Sequence, residues 1–302
     1  MRKLKLILLP LLLWSVGFST ADYGTVLSGR HLTTIAKLTG DDTNKSRKGR
    51  QIPLLAVTKS NPNAKYQEAR FFIQGGLHGN EKLTSTFVIW LAQRFSRNTS
   101  LLNKIDAKKI TIDFVPIANP DGAREANRYN NNRVNLNRNF PINWGISREN
   151  PGQKPFSEPE TRAIDSLFTL RDYMGAIDVH GYINWLVLPS AHKNLTATHS
   201  LQKQATYESW SNSIGVLAKK HLPDYEVHSA MSLGDGGAFE DWAFWQKKVP
   251  AICLEMSHRS RNPSINNAKT DTFLKYEAFV FDALDEALKL RYSGNTSIAK
   301  KH

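Results

Sequence analysis

The chain has 302 residues, a formal net charge of +13, 40% hydrophobic residues and one cysteine. That length can bury a large core without covalent staples, and a lone Cys253 excludes an intramolecular disulfide framework. The basic balance favours encounter with anionic polymers and surfaces and also serves solubility, but no recognised nucleic-acid motif accompanies it, so nucleic acid is not an expected partner.

In chain order, Arg2, Lys3 and Lys5 precede the mostly apolar run Leu6 to Phe18, and Ser19-Thr20-Ala21 offers a small-residue cleavage site before Asp22. This is the pattern of a secretory signal peptide over residues 1–21, too short and too asymmetric for a transmembrane anchor. No cysteine lies near the cleavage point, so a periplasmic or secreted protein without a stable membrane anchor is expected. Asp22 to about Asn63 reads as loop-rich, with Lys45-Ser46-Arg47-Lys48-Gly49-Arg50 as a solvated basic run before a strand from Ile52 to Lys59.

The apolar run Arg70 to Gln74, closed by Gly75-Gly76, predicts a second strand, and Leu83, Phe87, Trp90 and Leu91 carry helical spacing across Lys82 to Ser96. Further strands are predicted at Lys109 to Ile117, Gly175 to Val179 and Ala251 to Leu254. Further helices are predicted at Glu158 to Leu170, Leu201 to His221, Ala238 to Gln246 and Thr272 to Leu290. Such alternation predicts an α/β fold: one domain over 22–292, an α/β/α sandwich around a central mixed, largely parallel sheet. Ser293 to His302 reads as a disordered polar tail. N-x-S/T sequons stand at Asn44, Asn98, Asn194 and Asn295 and matter only in a glycosylating source.

The chemistry is concentrated in His78-Gly79-Asn80-Glu81, His180 and Glu255. A catalytic zinc takes two imidazole nitrogens and a carboxylate oxygen and keeps a position open for water. His78, Glu81 and His180 supply that set. His78 leaves a predicted strand end, Glu81 opens a predicted helix, and His180 follows the buried run Tyr173 to Val179, so all three fall where open α/β sheets bind ligands. Asp178 is a candidate partner for His180, since residues two apart share a face of a regular strand. Glu255 ends the apolar strand from Val249. A carboxylate there must be paired or poised beside the metal, where it can act as a base.

Asn119-Pro120-Asp121-Gly122, Arg128 and Leu136-Asn137-Arg138-Asn139-Phe140-Pro141, followed in order by His180 and Glu255, resemble the zinc carboxypeptidases of the carboxypeptidase A type, over about residues 70 to 256. Within that family the likeness is to bacterial members that trim peptidoglycan stem peptides. The resemblance implies one zinc on His78, Glu81 and His180, with Glu255 activating water. It also implies Asn137 and Arg138 gripping a terminal carboxylate and Arg128 polarising the scissile carbonyl, chemistry that a guanidinium fork suits. Arg124 and Arg133 compete with Arg128 for that role. Asn135 stands where the family has Asp. No clear counterpart of the substrate-covering tyrosine exists: Leu233 falls near that position, and Tyr225 is too far upstream.

Glu240 falls where the family reads the side chain of the terminal residue. An acid there would favour lysine, arginine or diaminopimelate, while Glu240 and Asp241 equally suit the first turn of a helix. The sequence thus predicts an exported metallopeptidase that cuts an amide next to a free carboxylate in a peptide or stem-peptide substrate. The alternatives are a Lys/Arg-specific carboxypeptidase, a small N-acyl amino acid deacylase, and a cell-wall-binding module without catalysis.

Overall fold

Runs of β-branched and aromatic residues form the strands, and the helices between them present one apolar stripe each, so a layered arrangement follows. In the computed structural model, the described residues are 31–60, 68–97, 109–189, 201–228, 236–257 and 270–292. The elements begin with β1 (His31–Thr34), α1 (Ile35–Thr39), β2 (Pro53–Ser60), β3 (Ala69–Gly75), α2 (Lys82–Arg97), β4 (Lys109–Val115), α3 (Pro120–Glu125) and α4 (Pro159–Leu170). They continue with β5 (Gly175–Gly181), β6 (Trp185–Val187), α5 (Leu201–His221), β7 (Glu226–His228), α6 (Phe239–Trp245), β8 (Ala251–Met256) and α7 (Thr270–Tyr292). The expected signal segment, the polar tail, Leu233 and the sequons at Asn98, Asn194 and Asn295 lie outside the described residues.

The strands form one sheet in the order β1-β2-β4-β3-β5-β8-β6-β7. Its centre, β4-β3-β5-β8, is parallel, while β1, β2 and β6 join antiparallel to their inward neighbours. β3 has β4 on one side and β5 on the other, so the connections leaving its carboxyl end diverge there and open a crevice. Leu83, Phe87, Leu91 and Phe95 of α2 pack on one face of the sheet with Trp210 and Ile214 of α5 and Phe279, Val280 and Leu284 of α7. On the other face Ile35 of α1, Ile164 and Leu167 of α4, and Phe239 and Trp242 of α6 cover Leu54, Phe72 and Ala176. Each large apolar side chain so buried contributes about 1.5–3 kcal/mol. The predicted α/β/α sandwich with a mixed, largely parallel sheet is the observed fold.

Differences are local. β4 ends at Val115, short of Ile117, because the Ala118 and Asn119 N–H groups donate to Gly75 and Gly76 carbonyls at 3.1 Å and the chain leaves the sheet to start α3. The strands β1, β6 and β7, with four residues or fewer, are too short to display a period in sequence. The basic run at 45–50 is not merely solvated: Arg50 pairs with buried Asp121, which also accepts from Ser46 Oγ and the Lys48 N–H at 2.9 Å. Asn44 is buried, its Nδ2 donating to Thr39 Oγ1 at 2.9 Å, so that sequon is not an open acceptor. Among the described residues no helix is long and apolar enough to cross a membrane.

Two glycines let the loops of the crevice close together. A Cβ on Gly79 would collide with the Gly122 backbone, so the turn carrying His78 and Glu81 can rest on the start of α3 only with glycine there. Gly237, at φ +84°, sits against the Arg138 backbone, and its carbonyl accepts the Phe140 N–H at 3.0 Å. This locks the start of α6 onto the 3-10 turn Leu136–Arg138.

Candidate metal centre and active site

His78, Glu81 and His180 converge at the carboxyl ends of β3 and β5, all buried, with one ligand atom from each within 4.8 Å of the others. Among the described residues they form the one such cluster. Their outer atoms are already held. His78 Nε2 lies 3.0 Å from Asn135 Oδ1, and His180 Nε2 lies 2.8 Å from Asp178 Oδ2. Both Nδ1 atoms therefore face inward, 3.0 Å apart. Glu81 Oε1 lies 2.8 Å from His78 Nδ1, and Oε2 accepts the Gly181 N–H at 3.2 Å. Because β5 runs regularly through Gly181, Asp178 and His180 share one face, as alternation requires.

Electrostatics match a cation site. Burial disfavours the charged imidazole of His78 and lowers its pKa, which leaves the neutral form that ligates metals. Burial also opposes charge on His180, but the Asp178 and Glu81 carboxylates outweigh it and hold that ring well above its ordinary pKa. Burial likewise opposes ionisation of Glu81, yet the two imidazoles keep it ionised far below the usual carboxylate range. A buried ionised carboxylate between two inward nitrogens, each ring oriented by an outer acceptor, fits a zinc ion in donor type and number.

Around this centre, Glu255 of β8 is the Cα partner of His180, and its carboxylate has no hydrogen-bond partner among the described residues. Burial, with Glu81 adding to it, raises its pKa to about 7. Arg128 Nη1 lies 3.0 Å from His78 Nδ1 and donates to Glu81 Oε1 at 3.2 Å, whereas Arg124 and Arg133 are exposed. Arg138 donates from Nε to Ser147 Oγ at 3.2 Å and from Nη1 to the Asn137 carbonyl at 2.8 Å. Asn137 Oδ1 accepts the Phe239 N–H at 2.9 Å, which fixes the amide's orientation, and its NH2 is the group that can donate to a carboxylate.

Glu240 and Asp241 both stand in the first turn of α6, as the helix reading expected, but both are buried rather than on its surface. Ala238 is the N-cap, and Glu240 Oε2 has no partner. Burial and then the Asp241 and Asp178 charges raise its pKa to about 8. Asp178 Oδ1 is likewise buried and unpaired, and Gln74, Asp178 and Cys253 stand in register across β3, β5 and β8, one row below His180 and Glu255. Tyr225 pairs its hydroxyl with that of Tyr276 at 2.7 Å.

Sequence reasoning missed Glu149. Its carboxylate takes Arg128 Nε at 3.1 Å and Asn135 Nδ2 at 2.6 Å, with Arg138 Nε at 3.7 Å. The available signal was weak: Glu149 is the sole acid between Leu136 and Ser157, in the loop that follows the Asn-Arg pair.

An α/β/α sandwich with a buried His-Glu-His cluster at the switch point of its sheet has the donor set and placement of a single-metal site. The zinc carboxypeptidase family model matches residues 38–278, and the chain belongs to that family. Among curated relatives it is 25% identical to carboxypeptidase O of Bos taurus over 56% of this chain and 52% of that protein. It is 26% identical to an inactive metallocarboxypeptidase of Talaromyces stipitatus over 63% of this chain and 37% of that protein. The chain thus spans about half or less of the length of these relatives. Among solved structures, carboxypeptidase A from Helicoverpa armigera superposes with a TM-score of 0.60 at 19% identity, covering 89% of this chain and 71% of the other. A murein-tripeptide amidase from Escherichia coli O157 gives 0.51 at 21% identity, covering 80% and 90%.

Proposed function

We propose that the protein is an exported zinc peptidase that hydrolyses an amide next to a free carboxylate in peptidoglycan stem peptides, at the bond between γ-D-glutamate and diaminopimelate or at the C-terminal residue. The observation that carries this reading is Glu255, half-buried, its carboxylate without a hydrogen-bond partner among the described residues, on the strand beside His180. A binding module needs no such base. When bound by His78, Glu81 and His180, zinc supplies Lewis acidity that acidifies water and polarises a carbonyl.

The chain's own groups do the rest. Glu255 takes the proton of the attacking water and passes it to the leaving amine. Arg128 steadies the negative charge that develops on the carbonyl oxygen. Arg138 and the Asn137 NH2 hold the substrate carboxylate and fix the distance from that anchor to the scissile bond. Glu240, with Asp178 beside it, meets the distal amine of diaminopimelate, because an unpaired buried acid is relieved by an ammonium partner. The signal-like residues 1–21 and the likeness to a murein-tripeptide amidase favour a wall substrate over ordinary peptides ending in Lys or Arg.

The test is incubation of the zinc-loaded protein with L-Ala-γ-D-Glu-diaminopimelate, following free diaminopimelate by mass spectrometry, with Glu255→Gln as control. Release that disappears in the variant supports the proposal. Turnover of Lys- or Arg-ended peptides alone would replace the substrate, and no turnover of either would replace the enzyme by a binding protein.

A further inference from the structure

The Glu149 carboxylate is held as a bound carboxylate ligand would be. Oε1 accepts from Arg128 Nε at 3.1 Å and from Tyr129 Oη at 3.4 Å. Oε2 accepts from Asn135 Nδ2 at 2.6 Å and from Arg128 Nη2 at 3.5 Å, and lies 3.7 Å from Arg138 Nε. Both arginines assigned above to substrate are thus paired with it, Arg128 by hydrogen bonds and Arg138 as an ion pair. Yet the side chain comes from the surface: its loop is bounded by Gly145 and Gly152 in the left-handed region, and Glu149 is 30% exposed. The loop backbone is pinned, since Asn135 N–H donates to the Asn150 carbonyl at 2.9 Å and Trp144 Nε1 to the Pro151 carbonyl at 3.0 Å. What can move is the Glu149 side chain alone, by rotating into water.

We infer that Glu149 is an internal competitor for Arg138, displaced there by the substrate's own carboxylate, and that its departure also releases Arg128 for the scissile carbonyl. The inference rests on the proposed role of Arg128 and Arg138 in substrate binding. Its physical content is selectivity. Any carboxylate must displace an existing ion pair, so a free carboxylate alone gains little, and only ligands with a second contact deeper in the site bind well. The same device keeps two neighbouring guanidinium groups compensated in the resting protein. Arg128, released from Glu149, keeps its contact with Glu81 and is free to turn its remaining donors to the substrate.

The experiment uses zinc-loaded protein carrying Glu255→Gln, which prevents turnover. L-Ala-γ-D-Glu-diaminopimelate and its C-terminal amide are titrated calorimetrically into this protein and into versions with Glu149→Gln or Glu149→Ala added. The expected result is about fivefold tighter binding of the free-carboxylate peptide in both versions, the size of one part-exposed ion pair, with the amide unchanged. In active protein, Glu149→Gln then lowers KM and leaves kcat alone. Equal or weaker binding in both versions, or a fall in kcat, would overturn the inference and make Glu149 an aligner of the arginines. Hydrolysis by the unsubstituted protein is read separately. Turnover with unchanged KM in Glu149→Gln rejects the competitor alone, whereas carboxylate-specific tightening without turnover rejects hydrolysis and keeps the competitor.

Discussion

Asn135 Oδ1 stands 3.0 Å from Nε2 of His78, so the ring that offers Nδ1 to a metal is oriented by a neutral amide where the family carries a carboxylate. The same amide donates from Nδ2 to Glu149 at 2.6 Å. An aspartate would still accept from His78 but would repel Glu149. Asn135→Leu removes the orienting acceptor, and a loss of this kind weakens metal affinity about 10–100-fold. Competition with a fluorescent zinc chelator measures the change, and undiminished affinity would contradict the orienting role.

Metal removal should cost stability as well as activity. Without a cation, the cluster is held only by its own hydrogen bonds and ion pairs, among them those of His180 with Asp178 and Glu81. Zinc at a hundred times its dissociation constant should stabilise the fold by about 2.7 kcal/mol. Thermal melts with and without chelator, with His180→Ala as a variant that shows no such difference, check this.

Glu255 sets an acid limb. Its carboxyl, raised to about 7, must be ionised to accept a proton, so kcat/KM rises with pH below that value and levels above it. A dication beside it favours the carboxylate and moves the limb down. Glu255→Gln abolishes the limb together with most of the activity, and pH–rate profiles on the metal-loaded protein read both.

Glu240 predicts a second signature, on substrate choice. With its carboxyl raised to about 8, it is largely neutral at pH 7 and charged above 8, so KM for amine-bearing substrates should fall as pH rises through that range. Glu240→Gln should flatten this dependence and leave substrates without a distal amine unaffected. A KM profile unchanged by the substitution would remove Glu240 from substrate recognition.

Gly237→Ala tests the joint between α6 and the Asn-Arg turn. The residue is at φ +84° and its added methyl would press on the Arg138 backbone, so a loss of about 1–3 kcal/mol is expected. KM should rise more than kcat falls, because Arg138 is displaced while Glu255 is not. Denaturant melts and steady-state kinetics separate the two effects.

Much of the fold was legible because its signals are local. The apolar period of α2, the buried run of β5 and the strand preceding Glu255 each declare themselves within a dozen residues, and α5 was bounded correctly at both ends. The edge strands β1, β6 and β7 were not legible, since their pairing depends on a partner far along the chain. Ala126, Asn143 and Phe156 adopt positive φ without any glycine to announce it, and Arg133 does so too.

The sequence by itself determined the layered α/β architecture and the three side chains that converge as the candidate metal site, because ligand type, order and strand-end placement are properties of short segments. Tertiary structure alone decided which arginine reaches the centre, that Asn135 and Asp178 turn the rings inward, and that Glu240 is buried with its Oε2 unpaired. It alone brought Glu149 onto Arg128 and Arg138. The reason is range: periodicity acts over a few residues, whereas the charge each side chain feels is set by groups that meet it only when the sheet assembles.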